Sequence, residues 1–182
     1  MSKFGISLIA FSSHYKFKYF LKYPFRYLIQ LVTGSRMEHM GIKLMFDDEK
    51  QDLIYECTYN LGVHKTLMSE RLNNLEHQIV VYEYEFIKKI NKKQFDIIEK
   101  YLESKIGKKY SGIEALLSPL DFFKFKDDKN KFFCSELVCE AIKQVKIIPS
   151  STKSNTLEPR DLLKLLNDNF LLLPKNEINH EN

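Results

Sequence analysis

The hairpin pattern between His39 and Asn60 constrains this chain more than any other stretch. HMGIKLMF, His39 to Phe46, alternates as a half-buried strand does, and Asp47-Asp48-Glu49-Lys50 reads as a turn. LIYECTYN, Leu53 to Asn60, reads as the returning strand, so the pair is expected to run antiparallel. In that arrangement Glu56 lies mid-strand beside the strand that His39 opens. Glu38, next to His39, is expected on the opposite face by simple alternation.

Other strand-like runs accompany the hairpin. GISLIAF, Gly5 to Phe11, reads as a short buried strand, and IVVYEYEF, Ile79 to Phe86, is rich in β-branched and aromatic residues. The clearest helix follows in NKKQFDIIEKYLESKIG. Asn91 caps it with Gln94 in the third helical position, Phe95, Ile98, Leu102 and Ile106 form its apolar stripe, and Gly107 ends it. MSERL suggests a helical turn, EPRDLLKLL a last short helix, and PKNEINHEN a frayed polar tail.

The remaining segment, Tyr15 to Tyr27, interleaves aromatic and basic residues, with Pro24 breaking it. It reads either as part of a core-packing helix with a basic outer face or as a peripheral membrane contact. At 182 residues the chain is expected to form one domain over residues 1–173, with 174–182 as the tail. A hydrophobic content of 44% with 29% charged residues is ordinary for a globular protein. The net charge of +4 is mild and gives no argument for nucleic-acid binding. Three scattered cysteines form neither a disulfide framework nor a zinc quartet, and no HExxH is present, so no metal or cofactor is expected. With no secretory signal or spanning stretch legible, a reducing cytoplasmic setting is the expectation.

The chemistry centres on KFFCSELVCEAIKQV. Leu137, Val138, Ala141, Ile142 and Val145 share one helical face, so a helix is expected to begin close to Cys134. There the N–H groups of the first turn and the helix dipole favour a thiolate, and the same groups can stabilise an oxyanion. Cys139 lies five residues on, turned about 140° away, and is expected in packing, as is Cys57. A nucleophile needs a base and a group to orient it. His14, His39, His64, His77 and His180 are the available histidines, and spacing alone leaves His39 with Glu56 as one pairing among several.

The motifs together narrow the choice. FFCSELV resembles the nucleophile motif of the circularly permuted NlpC-type cysteine hydrolases, a papain-like group with a YiiX-like branch and lecithin:retinol acyltransferase-like, poxviral and phage relatives. EHMGIKL is similar to the histidine strand of that group, IYECT to its next strand with an acidic residue, ESKIGKKYSG to its tyrosine element, and LEPRDLL to its closing element. His39 precedes Cys134, as the permuted order requires. The N-terminal strand lacks the usual Gly-Asp start, and Ser111 replaces a frequent aspartate.

The resemblance implies an α+β, permuted papain-like fold, with an antiparallel sheet packed against helices and the nucleophile at a helix N-terminus. It implies Cys134 as nucleophile, His39 as base, Glu56 as the orienting residue with His64 as a competitor, and Tyr110 as oxyanion donor or site-lining residue. Glu136 is read as mainly structural, and Ser135 as acting only through its backbone. The implied activity is that of a cysteine hydrolase, an amidase or peptidase acting on short or cell-wall peptides through an acyl-enzyme. The alternatives are a lipid-directed acyltransferase or acyl hydrolase, and a non-catalytic binding module. A peptide or acyl-containing small substrate is the expected partner, and a viral or phage source is compatible with the resemblance.

Overall fold

The computed structural model describes residues 4–13, 35–46, 51–75, 79–111, 130–169 and 171–178. The Tyr15 to Tyr27 segment, the Asp47 to Lys50 turn, His14, His77 and His180 lie outside them. The described chain runs β1 (Gly5–Ser13), β2 (Met37–Met45), β3 (Leu53–Thr58), β4 (Gly62–Leu67), α1 (Met68–Asn73), β5 (Ile79–Phe86), α2 (Lys92–Glu103), β6 (Lys109–Tyr110), β7 (Lys131–Phe132), α3 (Cys134–Lys143), α4 (Pro159–Asp168) and β8 (Leu172–Ile178). A single 3₁₀ turn, Ser154–Thr156, precedes α4.

Six of these strands form an antiparallel sheet in the order β4-β3-β2-β1-β5-β8. The expected hairpin is there: β2 and β3 pair with Gly41 opposite Glu56 and Ile42 opposite Tyr55. Alternation splits the sheet into two faces. Leu8, Met40, Ile42, Tyr55 and Cys57 pack in one cluster with Phe95, Ile98 and Leu102 of α2, Leu137 and Ile142 of α3, and Leu162 and Leu166 of α4. Ile9, Phe11, Ile54 and Val81 cluster on the other face with Met68 of α1. Each fully buried side chain of this size contributes about 1.5–3 kcal/mol, so the helices are held by the sheet rather than by their own short lengths.

The capping of α2 follows the sequence: Asn91 accepts from the Gln94 N–H at 2.9 Å, and the Gln94 side chain accepts from the Asn91 N–H at 3.1 Å. Phe95 anchors the helix between the edges of Phe4 and Phe46, with ring centroids 5.6 and 5.4 Å away. The stripe ends earlier than expected, because α2 stops at Glu103 and Ile106 lies 39% exposed in the following turn. Gly107 takes a left-handed φ of 82° there, as a helix-stop glycine does.

Two segments differ from the sequence expectation. GVHKTL, to which the sequence pattern assigns no element, forms strand β4, an outer strand of the sheet. Residues 174–178, expected as the start of a frayed tail, are paired within β8 against β5. Both are outer strands of the sheet, where polar residues and Pro174 are tolerated. No helix among the described residues is long and apolar enough to cross a membrane.

Candidate active site

Phe133 is the extended residue that opens α3, and its carbonyl accepts the first helical bond from the Leu137 N–H at 3.1 Å. Cys134 is therefore the first residue of the helix, as expected. The N–H groups of such a first turn have no acceptor within the helix and point along its dipole. Glu136 adds negative charge in that turn and accepts from the Phe133 N–H at 3.4 Å. Ser135 ties the helix start to the segment before α4 by donating to the Leu157 carbonyl at 2.6 Å. Glu136 thus has a structural contact, while Ser135 acts through its side-chain hydroxyl and not only through its backbone.

His39 comes to this point from β2. In the β1–β2 pairing Phe11 faces His39 but Ser12 faces Met37, so the register shifts at Glu38. Such a bulge bends a strand and re-aims its neighbours, and simple alternation therefore does not describe Glu38. On one side the His39 ring lies near the Cys134 sulfur, close enough to feel its charge. On the other side its Nε2 lies 2.6 Å from Glu56 Oε2. Because Nε2 is engaged by the carboxylate, Nδ1 is the ring nitrogen left for sulfur. The His39 side chain is 16% exposed and that of Glu56 only 1%, so a ligand can reach the ring but not the carboxylate behind it.

Glu56 gathers more than one partner. Its Oε1 lies 2.6 Å from Arg71 Nε of α1 and 3.4 Å from His64 Nε2 of β4. His64 stands directly opposite Glu56 in the β3–β4 register, and its Nδ1 is 3.0 Å from the Gly62 carbonyl. His64 thus contacts Glu56 and Gly62, while Glu56 is the carboxylate at the His39 ring.

The electrostatics follow from these contacts. Burial alone pulls the His39 ring down, but hydrogen bonds and electrostatic pull from Cys134 and Glu56 outweigh it and raise it to about 9. Burial alone pushes the Glu56 carboxyl up, yet hydrogen bonds from His39 and His64 and the charges of His39 and Arg71 hold it well below the usual carboxylate range. His64 is raised, first by its hydrogen bond to Glu56. Cys57 and Cys139 are pushed up chiefly by burial, Cys139 to about 12.

Tyr110 arrives by a short parallel pairing. β6 lies beside β7, with the Lys109 N–H on the Asn130 carbonyl at 3.1 Å and the Ser111 N–H on the Phe132 carbonyl at 2.9 Å. The Cys57 thiol also donates to the Phe132 carbonyl, at 3.1 Å. Gly62 makes the junction to this layer feasible: its φ is 66°, and a Cβ there would stand 2.1 Å from the Lys108 carbonyl oxygen. Burial, followed by the influence of Cys134 and Cys57, pushes the Tyr110 hydroxyl above its ordinary range, so it remains a proton donor.

The structure therefore brings Cys134, His39 and Glu56 into one chain of contacts and sets Tyr110 beside Cys134. Arg71 is the member of the network that sequence reading missed. Its signal was indirect: a helical turn just after a strand that doubles back along Glu56.

Comparisons with known proteins bear on this arrangement. A family described as permuted papain-like amidase enzyme, YaeF/YiiX, C92 family, matches residues 19–164. Three solved chains match in structure. One is the crystal structure of metalloprotein yiiX from Escherichia coli O157:H7, with a TM-score of 0.64, 14% identity, and coverage of 96% of this chain and 97% of that one. At that identity the likeness speaks for the fold. That protein is described as a metalloprotein. Among the described residues here, no group of three or more His, Cys, Asp or Glu side chains is arranged to hold a metal ion. Among curated protein sequences nothing matches.

Proposed function

Given that this chain belongs to the permuted papain-like amidase family of the YaeF/YiiX type, we propose that it is a cysteine amidase or peptidase working through Cys134, His39 and Glu56. One observation carries the reading: a histidine hydrogen-bonded to a buried carboxylate and set beside a cysteine at a helix N-terminus. Glu56 accepts from Nε2–H and fixes the ring, which leaves Nδ1 facing sulfur, so that His39 and Cys134 share their proton as a resting thiolate–imidazolium pair. The thiolate then adds to an amide carbonyl carbon, and the carbonyl π electrons move to oxygen. First-turn N–H groups of α3 and the Tyr110 hydroxyl are the donors for that oxyanion. The imidazolium gives its proton to the leaving nitrogen as the tetrahedral adduct collapses to an acyl-enzyme. Water, deprotonated by His39, releases the acid and restores the thiol. Short peptides, cell-wall fragments among them, are the proposed substrates.

A thiol-reactive probe with intact-mass readout, combined with a peptide-amide panel, tests this. Cys134 is expected to react faster than Cys57 and Cys139 at neutral pH, and turnover is expected to vanish in Cys134→Ala. Equal reactivity of all three thiols, unchanged in His39→Ala, would refute the reading.

One observation favours a lipid-directed acyl hydrolase as the second reading. Tyr59 and Leu61, 73% and 66% exposed, form the β3–β4 tip, and the Tyr59 ring stands 6.2 Å edge-on from Tyr110. Vesicle co-sedimentation separates the two: protein left wholly in the supernatant with anionic and neutral vesicles removes the lipid version.

A further inference from the structure

We infer that Arg71 is a positioning residue for the catalytic base, holding the Glu56 carboxylate in line with His39 and bracing the His39 ring through Phe11. The inference rests on the reading of His39 and Glu56 given above. It also adds a residue from α1, an element without a part in the reaction as written.

Two independent contacts carry it. Arg71 Nε donates to Glu56 Oε1 at 2.6 Å, the oxygen that His39 does not use. The Arg71 guanidinium also lies 4.7 Å from the centroid of the Phe11 ring, whose centroid is 5.2 Å from that of His39 at a 40° tilt. Arg71, Glu56, His39 and Phe11 thus close a ring of four contacts, in which Arg71 holds the carboxylate directly and touches both residues that flank the imidazole. Phe11 and His39 are directly paired across β1 and β2, which fixes the aromatic half of the ring in the sheet.

The chemistry calls for a residue of this kind. A carboxylate that is 1% exposed is stable as an anion only with charged or hydrogen-bonding partners around it. The groups facing Glu56 are His39 from β2, His64 from β4 and Arg71 from α1, with Cys57 beside it on its own strand. The histidines change charge with pH, and His39 must do so in each turnover. A guanidinium keeps its charge at every working pH and offers donors in a rigid plane, whereas His64 stands farther off at 3.4 Å. Arg71 therefore keeps Glu56 an acceptor while His39 cycles, which keeps Nε2–H on the carboxylate and Nδ1 on the sulfur.

The test compares wild type, Arg71→Met, Arg71→Lys and His39→Ala by the rate of iodoacetamide alkylation at Cys134. Peptide mapping reads the rate from about pH 5 to about pH 9, with Cys57 and Cys139 as internal references and thermal melting as the check on folding. Arg71→Met is expected to slow Cys134 about ten- to a hundredfold at neutral pH. It is also expected to move the acid-side midpoint of the profile upward, because Glu56 then takes up a proton at a higher pH. Arg71→Lys, which keeps the charge but not the planar stack on Phe11, should recover part of the rate and return the midpoint to its wild-type place.

A wild-type rate and profile in folded Arg71→Met, while His39→Ala collapses the rate, overturns this inference and leaves the base reading standing. An unaffected His39→Ala overturns both. If Arg71→Met does not fold, Arg71→Lys decides: a severalfold slower Cys134 with an unmoved acid midpoint supports the inference, and wild-type values overturn it.

Discussion

Cys134 and Cys139 occupy the same helix five residues apart, both buried, at 4% and 0% exposure. Burial does not separate them; their neighbours do. Both belong to the core cluster of Leu137 and Ile142, but Cys139 lies in mid-helix and burial raises it to about 12. Cys134 stands at the first turn, against a histidine held by a buried carboxylate. One side chain type thus supplies an inert core contact at one place and a candidate nucleophile at the other. The difference comes from β2 and β3, the hairpin more than seventy residues upstream.

The sharpest way to break this contrast is to remove each sulfur. Cys134→Ala is expected to lower amide turnover by about 10⁴-fold or more, measured as kcat/KM, against Cys139→Ala near wild type. Equal losses in both variants would end the distinction. Next in size is Glu56→Gln, which keeps shape but presents an NH₂ or a neutral oxygen to Nε2. It should cost about 10²- to 10⁴-fold in kcat with KM little changed, because the wrong tautomer then faces sulfur. Tyr110→Phe removes the proposed oxyanion donor and should lower kcat by about 10- to 100-fold; an unchanged kcat would leave Tyr110 as a site-lining ring.

A pH experiment sharpens the contrast from the side of stability. His39 is raised from 6.5 to about 9 in the fold, so its contribution is fully present below about pH 6.5 and fades as pH rises through about 9. The gap in denaturation midpoint between wild type and His39→Gln should therefore shrink from about pH 6 to about pH 10. A gap constant over that range would show that the charged ring adds nothing. The smallest expected effect is Cys139→Ala in urea, a loss of about 1 kcal/mol that reflects only packing.

How much of this was legible in the sequence depends on distance along the chain. Asn91 and Gln94 are three residues apart, and their mutual capping was readable in full. The β2–β3 hairpin was readable because its two strands adjoin in sequence. The family motifs gave Cys134, His39, Glu56 and Tyr110 in order, and the structure sets these four side by side. Strand β8 was not readable, since an edge strand needs no apolar alternation and can hold Pro174. Ile106 was misplaced in the α2 stripe because periodicity carries past a helix end that only the turn at Gly107 sets.

By itself, the sequence determined the local elements: apolar periods, caps and stops act over a few residues and need no distant partner. It also determined the family, since the order of the histidine strand and the cysteine helix is itself a property of the sequence. Only the tertiary structure decided the wiring of the site. The bulge at Glu38 that precedes His39, the register that sets His64 against Glu56, and the reach of Arg71 back to that carboxylate are contacts across separate strands and a helix. Such contacts leave no local pattern, because a buried carboxylate is held by whichever cation the folded sheet brings within hydrogen-bond distance.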